Sequence, residues 1–563
     1  MSFFDDAGLV MLPNGVKDDK LYSIKPTDGS GDFTFSRDGS GASKATRVNS
    51  SNLIEKGRTN LIKKSNAFSS SPWTLSSGET VNQNAEGFDG TANQAWTFTK
   101  NDEFGKITAS SLSHTGINTF SIYAKAGTID ELALRFTVGG SNIIVKYNLN
   151  DGSLTSANAA FISTPAGVSA GNGFFRFAVS MNGSITELQI RSEPAEAAGS
   201  IIIQNTQLEP GLAASAYIDN TSATANATAG LLGDMPRLDY TGGASCPSLL
   251  MEPARENKLT HSEYFGAWTA QSGITVTTNT SETLSPEGLN NAAKIVSSDS
   301  TKGFFLAGLS ITNPASRTIY LKGASGGETL DLKDASGNGG STAVTLTTDW
   351  VRYEHKTTNT GDTYTGLFVD NIASGATIYA YGAQFEQHPT SNAEEANATS
   401  YIPTQGAAVT RALDATSTLT LDDNFNSVTF FIEATMSDVV RDASTDNITL
   451  QRQTGTNGLL AIFRDNATTK RRAVLNARNK SASNSILSEV SADLVKVAFS
   501  FDSSDGSLKA FVNGSSIASV TDTDYDEFTK FTLSGQGGKM LLHQLVSINK
   551  VFTTAELQTL TTL

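Results

Sequence analysis

Along this chain, short runs of alternating apolar and polar residues are separated by clusters of turn residues. In Thr119–Lys125, Phe120, Ile122 and Ala124 fall on one face, and Glu131–Val138 alternates in the same way. A period of two is the signature of a half-buried strand. Ile143–Leu149, Phe174–Val179, Ile185–Ile190 and Ile201–Leu208 continue the series, punctuated by Asn150-Asp151-Gly152 and Asn182-Gly183. Such Asn, Asp and Gly clusters favour tight turns because they tolerate left-handed backbone. The last 150 or so residues repeat the style with Ser427–Ala434, Asn447–Gln451, Gly458–Arg464, Ala473–Ala477, Lys496–Phe501, Lys509–Val512, Phe531–Leu533 and Lys539–Ile548. One helix is predicted there, Thr554–Leu560, with Thr553 or Thr554 as its cap and Glu556 in the first turn.

The pattern is also written twice. Arg58, Asn60, Leu61, Ser65, Phe68 and Trp73 reappear as Arg255, Asn257, Leu259, Ser262, Phe265 and Trp268. Gln207-Leu208-Glu209 with Ala216-Tyr217-Ile218 reappears as Gln384-Phe385-Glu386 with Ser400-Tyr401-Ile402. Inside the copies, Thr318–Lys322 answers Ser121–Lys125 and Val351-Arg352-Tyr353 answers Phe175-Arg176-Phe177. This repeat is far longer than a solenoid unit and has the length of a duplicated domain. The expected order is therefore a Gly/Ser/Asp-rich leader (1–57), a first module (58–222), a connector (223–254), a second module (255–413) and a third unit (414–563). The fold class is all-β, with tandem antiparallel β-sandwiches. The leader is too poor in apolar residues to build a core alone and is expected to dock on something else.

Composition narrows the function classes. Of the 563 residues only 17% are charged, and the net charge is −15. A phosphate backbone would be repelled, so no nucleic-acid partner is expected. A single cysteine, Cys246, excludes an internal disulfide framework. Neither a signal-type apolar run at the start nor a stretch long enough to span a bilayer is present, so assembly in a reducing cytosol without membrane insertion is expected.

Candidate chemistry is sparse. Glu209 and Glu386 could bind sugar hydroxyls, or form half of a glycosidase pair; alternatively they end the closing strand of each module and anchor the loop that follows. Trp73 and Trp268 could stack on a sugar ring, or fill the sandwich cores. The five histidines are scattered without metal-ligand spacing. Asp522, Asp524 and Asp526 imitate the start of a calcium loop, but Glu527 and Leu533 stand where its glycine and closing acid belong. An EF-hand is excluded, a looser calcium site on the sandwich rim is left open, and no cofactor is expected. No nucleophile elbow, phosphate loop or dinucleotide fingerprint occurs, and an enzyme is not expected.

Several phrases resemble modular structural proteins of tailed bacteriophages, of the tail-fibre, head-fibre or virion-appendage type. They are Tyr22-Ser23-Ile24-Lys25-Pro26, Phe33-Thr34-Phe35-Ser36-Arg37, Ala45-Thr46-Arg47-Val48-Asn49, Leu53-Ile54-Glu55, Arg58-Thr59-Asn60-Leu61, Pro236–Gly243, Leu249–Pro253 and Ser400-Tyr401-Ile402-Pro403-Thr404. Module one departs from the pattern at its close, where Ala216-Tyr217-Ile218-Asp219 lacks the Pro-Thr. The C-terminal unit resembles laminin-G/concanavalin A-like sandwiches through Lys496–Phe501, Lys509–Gly514 and Val551–Leu557. These resemblances imply a virion location, attachment to other virion proteins through residues 1–57, carbohydrate-binding jelly rolls, a host surface polysaccharide as ligand and a homotrimer. The alternative is a depolymerase of host surface glycans.

Overall fold

The computed structural model describes the chain apart from residues 1–4, 40, 193–197, 335–339, 358–364, 389–396, 421–426, 437–447, 453–458, 463–470, 476–485, 491–493, 522–527 and 537. Every strand pairing among the described residues is antiparallel, and the three sandwiches are tandem β units as the alternation requires. Module one pairs a sheet ordered Leu154–Ala157, Ser141–Asn148, Glu131–Val138, Ile185–Arg191, Lys106–His114, Trp73–Leu75 with a second sheet. The second is ordered Phe161–Ser163, Phe174–Asn182, Ile117–Ala126, Gly199–Pro210, Ala95–Lys100, Thr80–Ala85. Phe120, Ile122, Phe177, Val179 and Leu208 point inward from this second sheet and meet Leu132, Leu134 and Ile190 of the first.

Module two, taken from the opposite edge, has the equivalent strand order without the outermost strands Leu154–Ala157 and Phe161–Ser163: Thr269–Ala270, Phe304–Leu309, Thr365–Asp370, Thr329–Lys333, Ser341–Thr345, packed on Ile274–Thr277, Ala293–Ser297, Thr377–Gln387, Ala315–Gly323, Val351–Thr357. Position by position, Tyr123 pairs with Arg176 in module one and Tyr320 with Arg352 in module two. The duplication is therefore one of topology and register as well as of sequence.

The third sandwich departs from the expected domain plan. Its larger sheet runs Arg237–Asp239, Ser248–Met251, Met540–Ile548, Ser427–Met436, Leu494–Asp502, Ser507–Val512, Ser515–Thr521. Met540–Ile548 also pairs with the leader strand Ala7–Met11, so leader and connector share one edge of it end to end. Leu9, Met11, Leu21 and Phe33 of the leader and Leu249 and Met251 of the connector are buried in the same core as Val497, Phe499 and Leu542. What the apolar-poor leader docks on is thus this chain's own C-terminal sandwich. Ala7–Met11, Lys20–Leu21 and Phe33–Ser36 of the leader and Arg237–Asp239 and Ser248–Met251 of the connector are parts of that domain's fold, because a two-stranded piece cannot bury its apolar face unaided. Thr46–Val48, Ile54–Asn60 and Ala227–Gly230, by contrast, form a small sheet of their own.

The helix forms at Thr554–Thr561, with Thr553 as N-cap: its hydroxyl accepts from the Glu556 N–H and the Glu556 carboxylate accepts from the Thr553 N–H at 2.8 Å. Leu557 anchors it on Phe431, Ala498 and Phe511, on the outer face of the larger sheet.

This arrangement predicts that the leader stabilises the far end of the chain. Phe33→Ala should cost the C-terminal sandwich about 3–5 kcal/mol. Denaturant unfolding followed by a probe in that domain measures it, and an unchanged midpoint would refute the shared core.

Candidate functional site

The repeated phrase builds a polar latch that closes each module. In module one the Asn60 amide donates to the carbonyls of Thr206 and Ile218 and its oxygen accepts from the amides of Ile62 and Leu208. In module two Asn257 makes the same four bonds, to Ala383, Ile402, Leu259 and Phe385. Leu259 is therefore the counterpart of Ile62, one residue beyond Leu61. Ser65 bonds the Tyr217 hydroxyl at 2.6 Å, as Ser262 bonds Tyr401 at 2.6 Å. Gln207 and Gln384 each accept from the backbone amide of an isoleucine, Ile218 and Ile402, at 2.6 Å.

The four residues proposed from sequence as glycan contacts belong to this latch and to the cores. Glu209 and Glu386 are fully buried. Glu209 accepts from Gln207, from the Ser215 amide at 2.8 Å and from the Ser215 hydroxyl at 2.7 Å, while Glu386 accepts from Gln384, the Thr399 amide and the Thr399 hydroxyl. Trp73 packs against Phe68 and Trp268 against Phe265, each with ring centroids 5.0 Å apart. Their indole N–H groups donate to the carbonyls of Lys64 and His261. None of the four offers a face to a ligand, because each has its polar atoms engaged and its apolar surface covered. The glycan-contact role expected of Trp73, Trp268, Glu209 and Glu386 is corrected accordingly. The Asp522, Asp524 and Asp526 cluster lies outside the described residues, and among those described no group of three or more His, Cys, Asp or Glu could hold a metal ion.

Open space lies instead over the outer face of each latched sheet. In module one a cleft of about 500 Å³ lies between Tyr123 and Arg176 of the sheet and residues 279–290 of module two. Arg176 donates to the Ser121 hydroxyl at 3.0 Å and sits over the Tyr123 ring, which stacks at 4.4 Å on Phe88 of the turn between Thr80–Ala85 and Ala95–Lys100. Val168 and Leu284 stand exposed at its rim, and the walls carry no carboxylate. In module two a cleft of about 780 Å³ lies over Tyr320 and Arg352. Arg352 donates to the Thr318 hydroxyl at 2.8 Å and sits over the Tyr320 ring, repeating the module-one arrangement. The other walls are Arg47 and Leu53 of the leader, Asp239 of the connector and Lys539 of the C-terminal sandwich, with the half-buried Trp350 and the exposed Asp349 beside them. The Trp350 N–H is held by the Leu284 carbonyl at 2.8 Å. Sequence signalled the equivalence of Arg176 with Arg352, but nothing in the pattern marked the faces on which they stand as open.

The second cleft is held in shape by a buried ionic cluster. Arg237 and Arg411 are both fully buried and both bond Glu252, at 2.8 and 2.6 Å; Arg237 also bonds Asp414, which pairs with Arg37 at 2.8 Å. The Ser400 amide donates to Glu252 at 2.8 Å and the Arg237 guanidinium to the Thr46 carbonyl at 3.1 Å. Beside it, Lys56 bonds Glu263 at 2.6 Å and Glu287, while the hydroxyls of Tyr381 and Tyr401 donate to Glu287 and Glu263. Burial by itself would raise the Glu252 carboxyl; Arg411 and Arg237 more than reverse this and hold it far below the carboxylate range. Burial acts on Glu287 in the same way, and Lys56 and Arg58 bring it down to about 2. Glu386 is the opposite case, pushed up by burial.

No family model matches this chain, and no curated protein sequence is similar to it. Among solved structures, the CBM40 of a Ruminococcus gnavus IT-sialidase, bound to α2,3-sialyllactose, aligns at 16% identity over 24% of this chain and 83% of its own, with a TM-score of 0.18. The N-terminal CBM22-1–CBM22-2 tandem of Paenibacillus barcinonensis Xyn10C aligns at 11% identity over 62% of this chain and all of its own, with a TM-score of 0.20. The Trypanosoma rangeli sialidase aligns at 9% identity over 86% and 98%, with a TM-score of 0.21. At such values the likeness assigns this chain no ligand and no activity; its β-sandwich architecture rests on its own strand pairing.

The cluster predicts two measurable effects. Glu252→Gln leaves buried guanidinium charge unmatched and should cost about 3–5 kcal/mol in chemical denaturation. Glu252, Glu287 and Asp414 all have carboxyls held below their unfolded values. Their contribution is complete above the ordinary carboxylate range and is lost as pH falls through it toward 2. Unfolding curves from pH 7 to pH 3 should show stability falling below about pH 4.5, with a shallower fall in Glu252→Gln.

Proposed function

We propose that this chain is a non-catalytic structural protein of a tailed-bacteriophage virion, a fibre or decoration subunit whose duplicated sandwiches bind host-surface saccharide. The observation that carries the reading is the repeated Tyr–Arg pair, Tyr123 with Arg176 and Tyr320 with Arg352, placed beneath an open cleft in both copies. Both clefts fall within the volume range of small-ligand sites, and both combine apolar or aromatic wall with fixed polar groups. Two weak sites on one arm gain avidity when engaged together, and three-fold assembly of the fibre would multiply that gain.

Binding is favoured over hydrolysis by the lining residues. A glycosidase needs two carboxyls flanking one bond. The first cleft has none on its walls; the second has Asp239 and Asp349, but Asp239 already accepts from the amides of Val48 and Thr241, which leaves Asp349 as the one uncommitted carboxyl of its lining. The virion setting is supported by the fibre-type phrases in the leader, connector and module ends, several of which form the walls of the second cleft.

The purified chain should bind host-surface polysaccharide fragments on a glycan array without releasing reducing ends. Arg176→Ala and Trp350→Ala should each weaken binding about tenfold at one cleft, and the double variant should lose it. Release of reducing ends would revive the depolymerase, and absence of binding to every saccharide would sink the adhesion reading. Labelling of the intact particle in electron microscopy tests the virion placement and separates head from tail.

A further inference from the structure

We propose that the second cleft takes a saccharide that bears a carboxylate. The inference rests on the saccharide-binding reading above and narrows it to one cleft and one ligand class. On a chain of net charge −15, this cleft gathers cations from three distant segments: Arg47 from the leader, Arg352 from module two and Lys539 from the C-terminal sandwich. Their charges are unequally compensated. Arg47 is paired with Glu55 at 2.8 Å. Arg352 gives its N–H groups to neutral oxygens, the Thr399 carbonyl at 2.7 Å and the Thr318 hydroxyl at 2.8 Å, and lies 5.7 Å over the Tyr320 ring. Lys539 makes neither a hydrogen bond nor an ion pair within 4 Å among the described residues, and acts on the buried Glu252, already bonded by Arg237 and Arg411, only across a longer distance.

Two cations with no carboxylate hydrogen-bonded to them therefore border one polar cavity, which is where a ligand anion would find charge-assisted hydrogen bonds. The acids of the cleft do not cancel this. Asp239 is occupied by the Val48 and Thr241 amides at 3.2 and 2.9 Å, and Asp349 stands exposed at the rim, placed to accept from sugar hydroxyls. Trp350 supplies apolar surface for a ring. The equivalent cleft of module one has Arg176 as its sole charged wall residue, with alanines, Val168 and Leu284 around it. The duplication has thus produced one apolar site and one cationic site over the same sheet face. Because the cationic site is walled by leader, module two, connector and C-terminal sandwich, an occupant joins all four and should raise the chain's melting temperature.

The test uses the full chain and a panel of uronic-acid and nonulosonic-acid oligosaccharides, each beside its carboxyl-reduced form, read by calorimetry and by thermal shift. At least one acidic saccharide should bind and raise the Tm. Its reduced form should bind about tenfold more weakly or worse. Lys539→Met should show the same loss while its ligand-free circular dichroism stays that of the folded chain, Lys539→Arg should retain binding, and Arg176→Ala should leave acidic binding as it was. Equal affinity for acidic and reduced forms, or acidic binding unaffected by Lys539→Met, overturns this inference and leaves the general saccharide reading standing. Failure of every saccharide, neutral or acidic, overturns both.

Discussion

The structure depends on burying four charged side chains where water cannot reach them. Arg237, Arg411, Glu252 and Asp414 come from the connector, the end of module two and the start of the C-terminal sandwich, and Arg37 of the leader joins them. Taking such charges out of water costs several kcal/mol per ion unless every partner is in place. The cluster therefore rewards only the arrangement that brings all of these segments together. Replacing it with apolar residues could leave the chain as stable, but would remove the penalty on misplacing any one segment. The second cleft inherits its walls from this constraint: Arg47 and Asp239 lie close in sequence to Thr46 and Arg237, which the cluster fixes.

A second, neutral device closes each module on itself. Asn60 and Asn257 each satisfy two backbone carbonyls and two backbone amides at the meeting of opening and closing strands. Four bonds from one side chain explain why this asparagine is the same in both copies, since a buried unpaired amide or carbonyl is expensive. Outside the latch the copies are free to differ. Module one stacks its own Phe88 on Tyr123, whereas module two receives Ile54 of the leader against Tyr381 and Tyr401 and Lys56 against Glu263. One scaffold thereby carries a cleft with apolar walls and a cleft with cationic ones.

Much of the strand plan was legible because alternation reports one buried face directly, as in Phe120, Ile122 and Ala124. The helix at Thr554–Thr561 was legible too, since its cap is written within four residues. The latch residues were visible only as repetition; that Glu209 and Trp73 are buried could not be told from residue type, because the same side chains serve equally at a surface. Of the cleft residues, Arg352 was marked only as the counterpart of Arg176 and Arg47 only as part of a fibre-type phrase, and nothing local joined either to Lys539. Each is an isolated cation on a strand or its flank, and they form a site only through three independent packings.

The amino-acid sequence by itself determined the all-β class, the duplication, the turn positions and the capped helix, since each follows from interactions between residues near one another or from a period of two. Tertiary structure alone decided that the leader and connector complete the C-terminal sandwich, and that the polar marks of the repeat face inward. It also decided that open space lies over the Tyr–Arg faces. These outcomes turn on partners as far apart as Arg37 and Asp414, or Met11 and Leu545. Such pairings are selected by whole-molecule burial, to which no local pattern has access.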